Sequence, residues 1–261
     1  MKLFYRNFGS GQPLIILHGV FGLSDNWVSI GKKIAEKFNV FILDQRNHGK
    51  SPHSEIFNYY ALVDDLLEFL EDHQIQNPII LGHSMGGKVA MRFALENPDI
   101  VEKLIIIDIS PRGYDHSHHH ASLIMAMKSV DFEKVSSRKD VENQLITQIQ
   151  NPRIIQFLMK NLYWKDKTNL DWKINLDAIC DNITALFEAV KSEHPFTKST
   201  LFVKGGKSNY IIDDDFSLIH HHFPKALIKT IDHATHWVHA EAPNELCAIL
   251  SQFLEKECQF K

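Results

Sequence analysis

The sequence of 261 residues is poor in cysteine, and it lacks the start of a secreted protein. Its three cysteines, Cys180, Cys247 and Cys258, form an odd set without CxxC spacing, which fits neither a disulfide framework nor a zinc site. After Met1–Phe8 the chain turns at once into Gly-Ser-Gly-Gln-Pro, without the apolar stretch and cleavage site of a secretory signal. We therefore expect a protein of the reducing cytoplasm.

The sequence also has no surplus of basic residues and no long apolar run. Its 28 Lys+Arg and 32 Asp+Glu give a formal net charge of −4, which argues against a nucleic-acid partner. None of its apolar runs approaches the roughly 18 residues of a membrane span. With 44% hydrophobic and 23% charged residues, the composition is that of a globular protein with one large α/β domain or two small ones.

Short apolar runs alternate with helical patterns along most of the chain. Four runs are apolar at every position, which predicts parallel strands covered on both faces, and two more strand candidates follow later in the chain. They lie at 14–17, 40–43, 79–81, 104–107, 201–203 and 227–231. Helical patterns lie between them, and a last helix is expected from about Pro243 to Glu255. The alternation predicts an α/β protein with a doubly wound, mostly parallel sheet.

The alternation stops after Pro111, and residues 113–195 are helical and polar in pattern, without a convincing buried strand. An insertion between two strands of such a sheet lies above the carboxyl edge, where ligands bind. We therefore expect a core made of residues 1–112 and 196–261 and a helical lid at 113–195. Four large apolar residues of the lid are expected to pack in its core rather than against substrate: Met125, Phe157, Trp164 and Trp172.

The segment Gly82-His83-Ser84-Met85-Gly86-Gly87 matches the pattern G-x-S-x-G between a predicted strand and a predicted helix. In that setting the glycines permit a turn tight enough to present the Ser84 hydroxyl as a nucleophile. The start of the helix behind it directs free N–H groups at a developing oxyanion. A plain glycine-rich turn, with Ser84 as a helix cap, is the alternative interpretation. The strand–turn–helix context favours the nucleophile.

A second glycine segment, His18–Gly22, follows the first predicted strand directly. A loop in this position supplies the second backbone donor of an oxyanion hole. We expect the donors to be the N–H groups of Val20 and Met85. A simple turn after a strand is the alternative here.

The base should follow the last strand, because the chain order in this architecture is serine, acid, histidine. His236 lies in the loop between the last predicted strand and the last helix, and His233 and His239 are rivals in the same loop. The histidine runs at 118–120 and 220–222 lack the spacing of metal ligands, so we expect them to be solvated surface.

Five segments together resemble the α/β-hydrolases. They are 18–22, 44–51, 82–88, 107–111 and 236–241. More narrowly, the chain resembles the YbfF-type bacterial esterases and their eukaryotic ABHD11-like relatives. The superfamily usually has D-x-R-G-x-G-x-S where this chain has Asn47-His48 after Arg46, a form typical of the narrower group. We interpret Asp44 and Arg46 as structural residues that hold this turn.

The resemblance also bears on the acid. Most of the superfamily carries it three residues beyond a glycine that follows the strand equivalent to 201–203, but here Ser208 and Asn209 occupy those positions. Neither side chain carries the charge that stabilises an imidazolium. The resemblance to the narrower group places the acid at Asp108, which ends the strand at 104–107. The cluster Asp213–Asp215 is the alternative, although it is expected to begin a helix.

These residues predict a serine hydrolase that needs no cofactor and no metal and acts on small-molecule carboxylic esters, with acyl thioesters such as acyl-CoA as a second class. Ser84 would be the nucleophile, His236 the base and Asp108 the acid, with Val20 and Met85 as oxyanion donors. Two alternatives remain open: a C–C bond hydrolase or lyase on the same fold, and a non-catalytic binding protein on a hydrolase scaffold.

Overall fold

The protein is built on a seven-stranded sheet in the order β1-β3-β2-β4-β5-β8-β9, with a separate two-stranded sheet made by β6 and β7. The computed structural model describes residues 1–114 and 117–255, without the side chains of 117–119. The strands are β1 Tyr5–Phe8, β2 Gln12–Leu17, β3 Phe38–Leu43, β4 Ile79–His83, β5 Lys103–Ile107, β6 Leu162–Trp164, β7 Leu170–Trp172, β8 Thr200–Gly205 and β9 Ala226–Ile231. Neighbours in the large sheet are parallel, except that β1 runs antiparallel to β3. The six predicted strands and the mostly parallel sheet are confirmed.

Helices cover both faces of this sheet. They are α1 Val28–Ile34, α2 Tyr59–Asp72, α3 Met85–Glu96, α4 Ser117–Lys128, α5 Arg138–Ile146, α6 Pro152–Leu158, α7 Leu176–Asp181, α8 Phe216–His222, α9 Val238–Glu241 and α10 Pro243–Glu255. Within β2, Ile15 and Leu17 join the apolar cluster that contains α2 and α3, while Leu14 and Ile16 join the cluster of α1 and α10. This two-sided burial explains why the strands are apolar at successive positions.

The sequence analysis did not predict β1, which lies at one edge of the sheet. It pairs with β3 alone, from Tyr5 opposite Leu43 to Phe8 opposite Val40. Its sequence, Tyr-Arg-Asn-Phe, is only partly buried, as an edge strand allows. A strand covered on one side needs no continuous apolar run, so the pattern that identified the others was absent here.

Residues 113–195 contain α4 to α7 and also the hairpin of β6 and β7, in which Leu162 lies opposite Trp172. The sequence analysis expected no convincing buried strand in this segment and did not predict this partly buried hairpin. Each of these strands has three residues, too few to give a recognisable pattern. The two ends of this segment are joined by a backbone hydrogen bond, which the Val190 N–H donates to the Pro111 carbonyl at 2.7 Å.

The expected burial of four large side chains between 113 and 195 holds only in part. Trp172 is 7% exposed, and its indole Nε1 donates to the Met127 carbonyl at 3.0 Å. Met125 and Trp164 are 58% and 45% exposed, so placing them in the core was wrong. On α4 the buried face carries Ile124 and Met127, and Met125 lies on the other side of the helix. Phe157 is half-buried and lines both the cavity beside Ser84 and a larger neighbouring groove.

Candidate active site

Ser84 stands at a strained turn between β4 and α3. Its backbone has φ 53° and ψ −120°, a conformation that residues other than glycine rarely adopt. The turn is possible because its neighbours are small: a Cβ on Gly86 would lie 2.4 Å from the Leu17 carbonyl oxygen. The Ser84 hydroxyl makes no capping hydrogen bond to α3, so the alternative interpretation of Ser84 as a helix cap lacks the bond that it requires. Its side chain is free for other contacts.

Ser84 opens into a cavity of about 290 Å³ above the carboxyl ends of β2 and β4. The cavity is lined by Gly19, Val20, Phe21, His83, Ser84, His120, Leu123, Phe157, Asn209, Tyr210, His236 and Trp237. A small adjoining recess is lined by Val20, Ser84 and Met85 among others. The structure therefore brings the predicted nucleophile, base and oxyanion donors to one place.

The loop that carries Val20 lies directly against Ser84. A Cβ on Gly19 would lie 3.0 Å from the Ser84 Cβ, so a larger residue here would crowd Ser84. Met85 is the first residue of α3, and the N–H groups of a first helical turn have no partner within the helix. This arrangement leaves the region beside Ser84 suited to an anionic oxygen.

Two buried histidines fix the loop in this position. His48 Nδ1 donates to the Arg46 carbonyl at 2.8 Å, and its Nε2 accepts from the Phe21 N–H at 3.3 Å, where Phe21 has φ 61°. His18 Nδ1 donates to the Gly19 carbonyl at 2.8 Å, and its Nε2 accepts from the Gln45 N–H at 3.0 Å. Each ring both donates and accepts, as only a neutral imidazole can. Burial lowers the pKa of His18 to about 4 and that of His48 to about 3.

The turn after β3 is held by its charged residues, in agreement with a structural role. Asp44 accepts from the backbone N–H groups of Ser24 at 2.6 Å and Lys50 at 2.9 Å. Arg46 forms a two-point ion pair with the buried Asp65, at 2.5 and 2.8 Å. Such a pair fixes the orientation of both side chains.

Asp108 and His236 form the central hydrogen-bonded pair of the site. The distance from His236 Nδ1 to Asp108 Oδ2 is 2.9 Å, and the Asp108 side chain is fully buried. Asp108 Oδ1 accepts from the Gly205 N–H at 2.8 Å, and Oδ2 also accepts from the Ser208 hydroxyl. Asp108 itself has φ 48°, at the turn that ends β5. Three donors thus converge on one carboxylate, which fixes the position of its side chain.

The rival histidines and acids are engaged elsewhere. His233 is 55% exposed and lies 3.6 Å from Glu245. His239 stacks on Trp27 at a ring distance of 4.6 Å, and burial, with a smaller effect of the neighbouring His236, lowers its pKa to about 3. In the cluster Asp213–Asp215, the first residue pairs with Lys204 and the last with Arg112. The structure leaves His236 as the histidine that reaches Asp108.

Ser208 and Tyr210 were missed as site residues by the sequence analysis. Tyr210 stacks on the His236 ring at 3.9 Å and 20°, and its carbonyl accepts from the Tyr114 hydroxyl. The His236 carbonyl in turn accepts from His83 Nε2 at 2.9 Å. The signal for Ser208 was its position three residues after Gly205, where most of the superfamily carries the acid. The sequence alone did not show that this hydroxyl serves the displaced acid.

The expectation that both histidine runs are solvated surface is wrong for one residue of each. His120 is 8% exposed and lines the cavity, and His222 is 6% exposed at the end of α8. Helical periodicity can turn a single member of such a run inward, as it does for His222 beside the exposed His220 and His221, and a composition argument cannot detect this. The side chains of His118 and His119, and the whole of Cys258, lie outside the described residues. In the described part of the chain, no three histidine, cysteine or carboxylate side chains are grouped as metal ligands.

Comparison with known proteins identifies relatives along nearly the whole chain. A family model described as the alpha/beta hydrolase fold matches residues 12–243. A zebrafish (Danio rerio) protein named sn-1-specific diacylglycerol lipase ABHD11 is 37% identical over 95% of this chain and 80% of its own length. Esterase YbfF of Escherichia coli is 30% identical over 95% of both chains. A solved structure described as a marine microorganism esterase is 41% identical, with a TM-score of 0.94 over 97% of this chain and 99% of its own.

Proposed function

The chain belongs to the α/β-hydrolase family, and from that premise we propose that it is a serine hydrolase of carboxylic esters that works through an acyl-enzyme. Relatives that are named esterase or lipase, at 30% to 41% identity over most of the chain, support a carboxylester hydrolase. Acyl thioesters are included as a second substrate class, because the same nucleophile and oxyanion site serve both. No helix among residues 1–114 and 117–255 has the length and apolar character to cross a bilayer.

One observation carries the proposal: a histidine held by a buried carboxylate shares a cavity with a serine on a strained turn. The bond from His236 to Asp108 leaves His236 Nε2 as the ring nitrogen available to a substrate or to Ser84. A carboxylate on Nδ1 fixes the tautomer in which Nε2 can accept a proton. Burying a carboxyl group costs free energy, so a role in packing alone does not explain an aspartate at this position.

In the proposed reaction His236 Nε2 takes the proton of the Ser84 hydroxyl while the oxygen forms a bond to the acyl carbon. The tetrahedral intermediate collapses when the bond to the leaving oxygen or sulfur breaks, and His236 returns its proton to that atom. Water then repeats the sequence on the acyl-enzyme, with His236 again as base, and releases the acid. Asp108 stabilises the imidazolium at each proton transfer.

The negative charge of each intermediate would fall on the substrate carbonyl oxygen, beside Ser84. We assign its stabilisation to the backbone N–H groups of Val20 and Met85. Both residues line the recess next to Ser84, and donors held in place before the reaction need no reorganisation during it. The neutral rings of His18 and His48 hold the Val20 loop without adding a charge to the recess.

We further propose that residues 113–195 act as a lid on a core formed by 1–112 and 196–261. His120, Leu123 and Phe157 come from this segment and line the Ser84 cavity. Their largely apolar surface suits an acyl chain. The depth of the cavity would therefore set the acyl length.

The proposal is tested by Ser84→Ala, assayed on a panel of p-nitrophenyl esters of graded acyl length and with a fluorophosphonate probe. Loss of a triad serine lowers turnover by about a millionfold, so we expect no measurable hydrolysis and no labelling. Ser251→Ala, an exposed serine on α10, is the matched control and should behave as wild type. Labelling or hydrolysis that survives in Ser84→Ala would contradict the mechanism.

A further inference from the structure

The loop Gly19–Gly22, which carries Val20, is contacted by a buried residue of the 113–195 segment. Asn161 lies between α6 and β6, and its side chain is fully buried. Its Nδ2 donates to the Phe21 carbonyl at 2.8 Å. The proposed lid therefore forms a hydrogen bond with the loop that lies beside the nucleophile.

The backbone around Asn161 is fixed by its own segment. Arg138, the first residue of α5, donates from its guanidinium to the carbonyls of Met159, at 2.7 Å, and Leu162, at 2.9 Å. The Asn161 carbonyl accepts from the Lys173 N–H at 2.8 Å. These bonds hold the chain on both sides of Asn161, so its side chain is directed at the loop before a substrate binds.

The Asn161 side chain is bonded through its nitrogen. Among the described residues its Oδ1 has no hydrogen-bond partner, although this atom is buried. A buried polar atom without a partner costs free energy, so an apolar side chain would be the better choice for packing alone. The presence of an asparagine is therefore explained by the bond that its Nδ2 makes.

Two peptide groups connect this bond to the Val20 N–H. A trans peptide group is planar, with its C=O and N–H on opposite sides. The first group joins the Phe21 carbonyl, which accepts from Asn161, to the Gly22 N–H. That N–H donates to the Gly19 carbonyl at 2.9 Å, and the second group joins this carbonyl to the Val20 N–H. Hydrogen bonds in such a chain polarise one another, so each bond strengthens the next.

Phe21 is held by the core and by the proposed lid at the same time. It has φ 61°, which a residue other than glycine keeps where its surroundings fix the backbone. Its N–H donates to the core residue His48 at 3.3 Å, and its carbonyl accepts from Asn161. Loss of the bond from Asn161 should let the loop relax away from this conformation.

We propose that Asn161 is a positioning residue that aligns the Val20 N–H with the oxyanion of the reaction. The inference rests on the proposed function, since it concerns a donor of the proposed oxyanion hole. It makes the 113–195 segment part of the catalytic arrangement, because the oxyanion site is complete only when Asn161 is in place. The effect belongs mainly to the transition state, where the carbonyl oxygen carries the most charge.

The test replaces Asn161 by Leu, which removes the donor and keeps the buried space filled. We expect kcat on a p-nitrophenyl ester to fall by about ten- to a hundredfold, while KM changes by less than about threefold. Asn143→Leu, at an exposed position of α5, is the matched control and should behave as wild type. A kcat of Asn161→Leu within about threefold of wild type overturns the proposal.

A pair of inhibitors separates positioning from a general loss of structure. Hexyl trifluoromethyl ketone adds to a nucleophilic serine as a hemiketal with an oxyanion, whereas hexyl methyl ketone binds without this addition. The Ki of the trifluoromethyl ketone should rise by about the factor by which kcat/KM falls, and the Ki of the methyl ketone should not change. Neither constant depends on the fraction of enzyme that is folded. An unchanged Ki of the trifluoromethyl ketone, or an equal rise for both ketones, overturns the proposal.

Asn161→Ala is a second variant that removes the donor without adding a larger side chain, so the test does not depend on the folding of Asn161→Leu. The same changes in Ki are expected. A wild type that binds both ketones equally well contradicts the proposed function, and this inference with it. A wild type that prefers the trifluoromethyl ketone, beside an Asn161→Ala protein with the same preference, overturns this inference alone.

Discussion

At the scale of single residues, the position of the proposed acid distinguishes this site from the wider superfamily pattern. We assign the acid to Asp108 at the end of β5, and the residue at the more usual position after β8 is Ser208, whose hydroxyl donates to Asp108. The two are 100 residues apart in the chain. The chain therefore has a carboxylate after β5 and a neutral hydrogen-bond donor after β8, where most of the superfamily has the carboxylate.

Replacing Asp108 by Asn should lower kcat by about 10⁴ without unfolding the protein, because the neutral side chain cannot stabilise the imidazolium and favours the wrong tautomer. The measurement is steady-state hydrolysis of a p-nitrophenyl ester, with circular dichroism to confirm folding. The control is the simultaneous replacement of Asp213, Asp214 and Asp215 by Asn, expected to stay within tenfold of wild type. An inactive triple variant beside an active Asp108→Asn would place the acid after β8.

Ser208→Ala should lower kcat by about tenfold or more, since a hydrogen bond to a charged group contributes roughly 1.5–3 kcal/mol. Ser208→Thr, which keeps a hydroxyl, should recover most of the activity. A Thr variant as impaired as the Ala variant would mean that packing, rather than the hydrogen bond, explains the loss.

The turn at Ser84 could be predicted from the sequence because a local motif encodes it: glycines at fixed offsets permit the strained backbone. Asp108 needed the resemblance in addition, because no motif marks it. Ser208, Tyr210 and His120 could not be inferred, since their roles depend on contacts between segments far apart in the chain. Long-range pairings of this kind are set by the sheet order, which the local pattern does not contain.

At the scale of elements, α3 does more than present Ser84. One turn beyond it, the fully buried Lys88 donates from Nζ to the carbonyls of Arg112, at 2.8 Å, and Glu188. These carbonyls lie where the chain enters and leaves the 113–195 segment. The same ammonium group lies 4.8 Å from the centre of the Tyr114 ring. The helix that carries the nucleophile thereby also holds both ends of the proposed lid.

Lys88→Met should lower the free energy of unfolding by about 1–3 kcal/mol for each carbonyl left without a donor. Urea unfolding gives this value, and limited proteolysis should show faster cleavage near residues 112 and 188. Lys167→Met, at an exposed position, is the control and should change neither result. A Lys88→Met protein as stable as wild type would show that these carbonyls find other partners.

Elements were predictable where a physical constraint forces a pattern. Strands β2 to β5 are covered on both faces, so their apolar runs are continuous and the sequence identified them. The edge strand β1 and the hairpin of β6 and β7 are partly exposed or very short, and no such pattern is required of them. The exposed Met125 on α4 shows that apolar character alone does not predict burial, because an apolar side chain on a helix need not face the core.

At the scale of the whole molecule, buried neutral histidines make the fold sensitive to acid. The pKa values of His18, His48 and His239 are lowered to about 4, 3 and 3, chiefly by burial. The unfolded chain protonates these rings near pH 6.5, so it binds more protons than the folded protein below that value. Their contribution to stability is complete above pH 6.5 and is lost as the pH falls towards 4.

The free energy of unfolding should therefore decrease between pH 6.5 and 4.5, by up to about 1.4 kcal/mol per pH unit for each of these histidines. Urea titrations at several pH values measure the slope. His221→Gln, at an exposed position, should leave the slope unchanged, whereas His239→Gln should reduce it. A profile that is flat over this range would contradict the burial of neutral rings.

The order of the site residues along the chain has a consequence for synthesis on the ribosome. Ser84 and Asp108 precede residues 113–195, whereas His236 follows β9, which joins the sheet through β8 alone at its edge. Under the proposed mechanism, a nascent chain displays its nucleophile and acid well before its base exists and cannot turn over an ester in the meantime. We therefore expect hydrolytic activity to appear only when the outermost strand has docked. An ester assay on stalled chains of increasing length would follow completion of the sheet during translation.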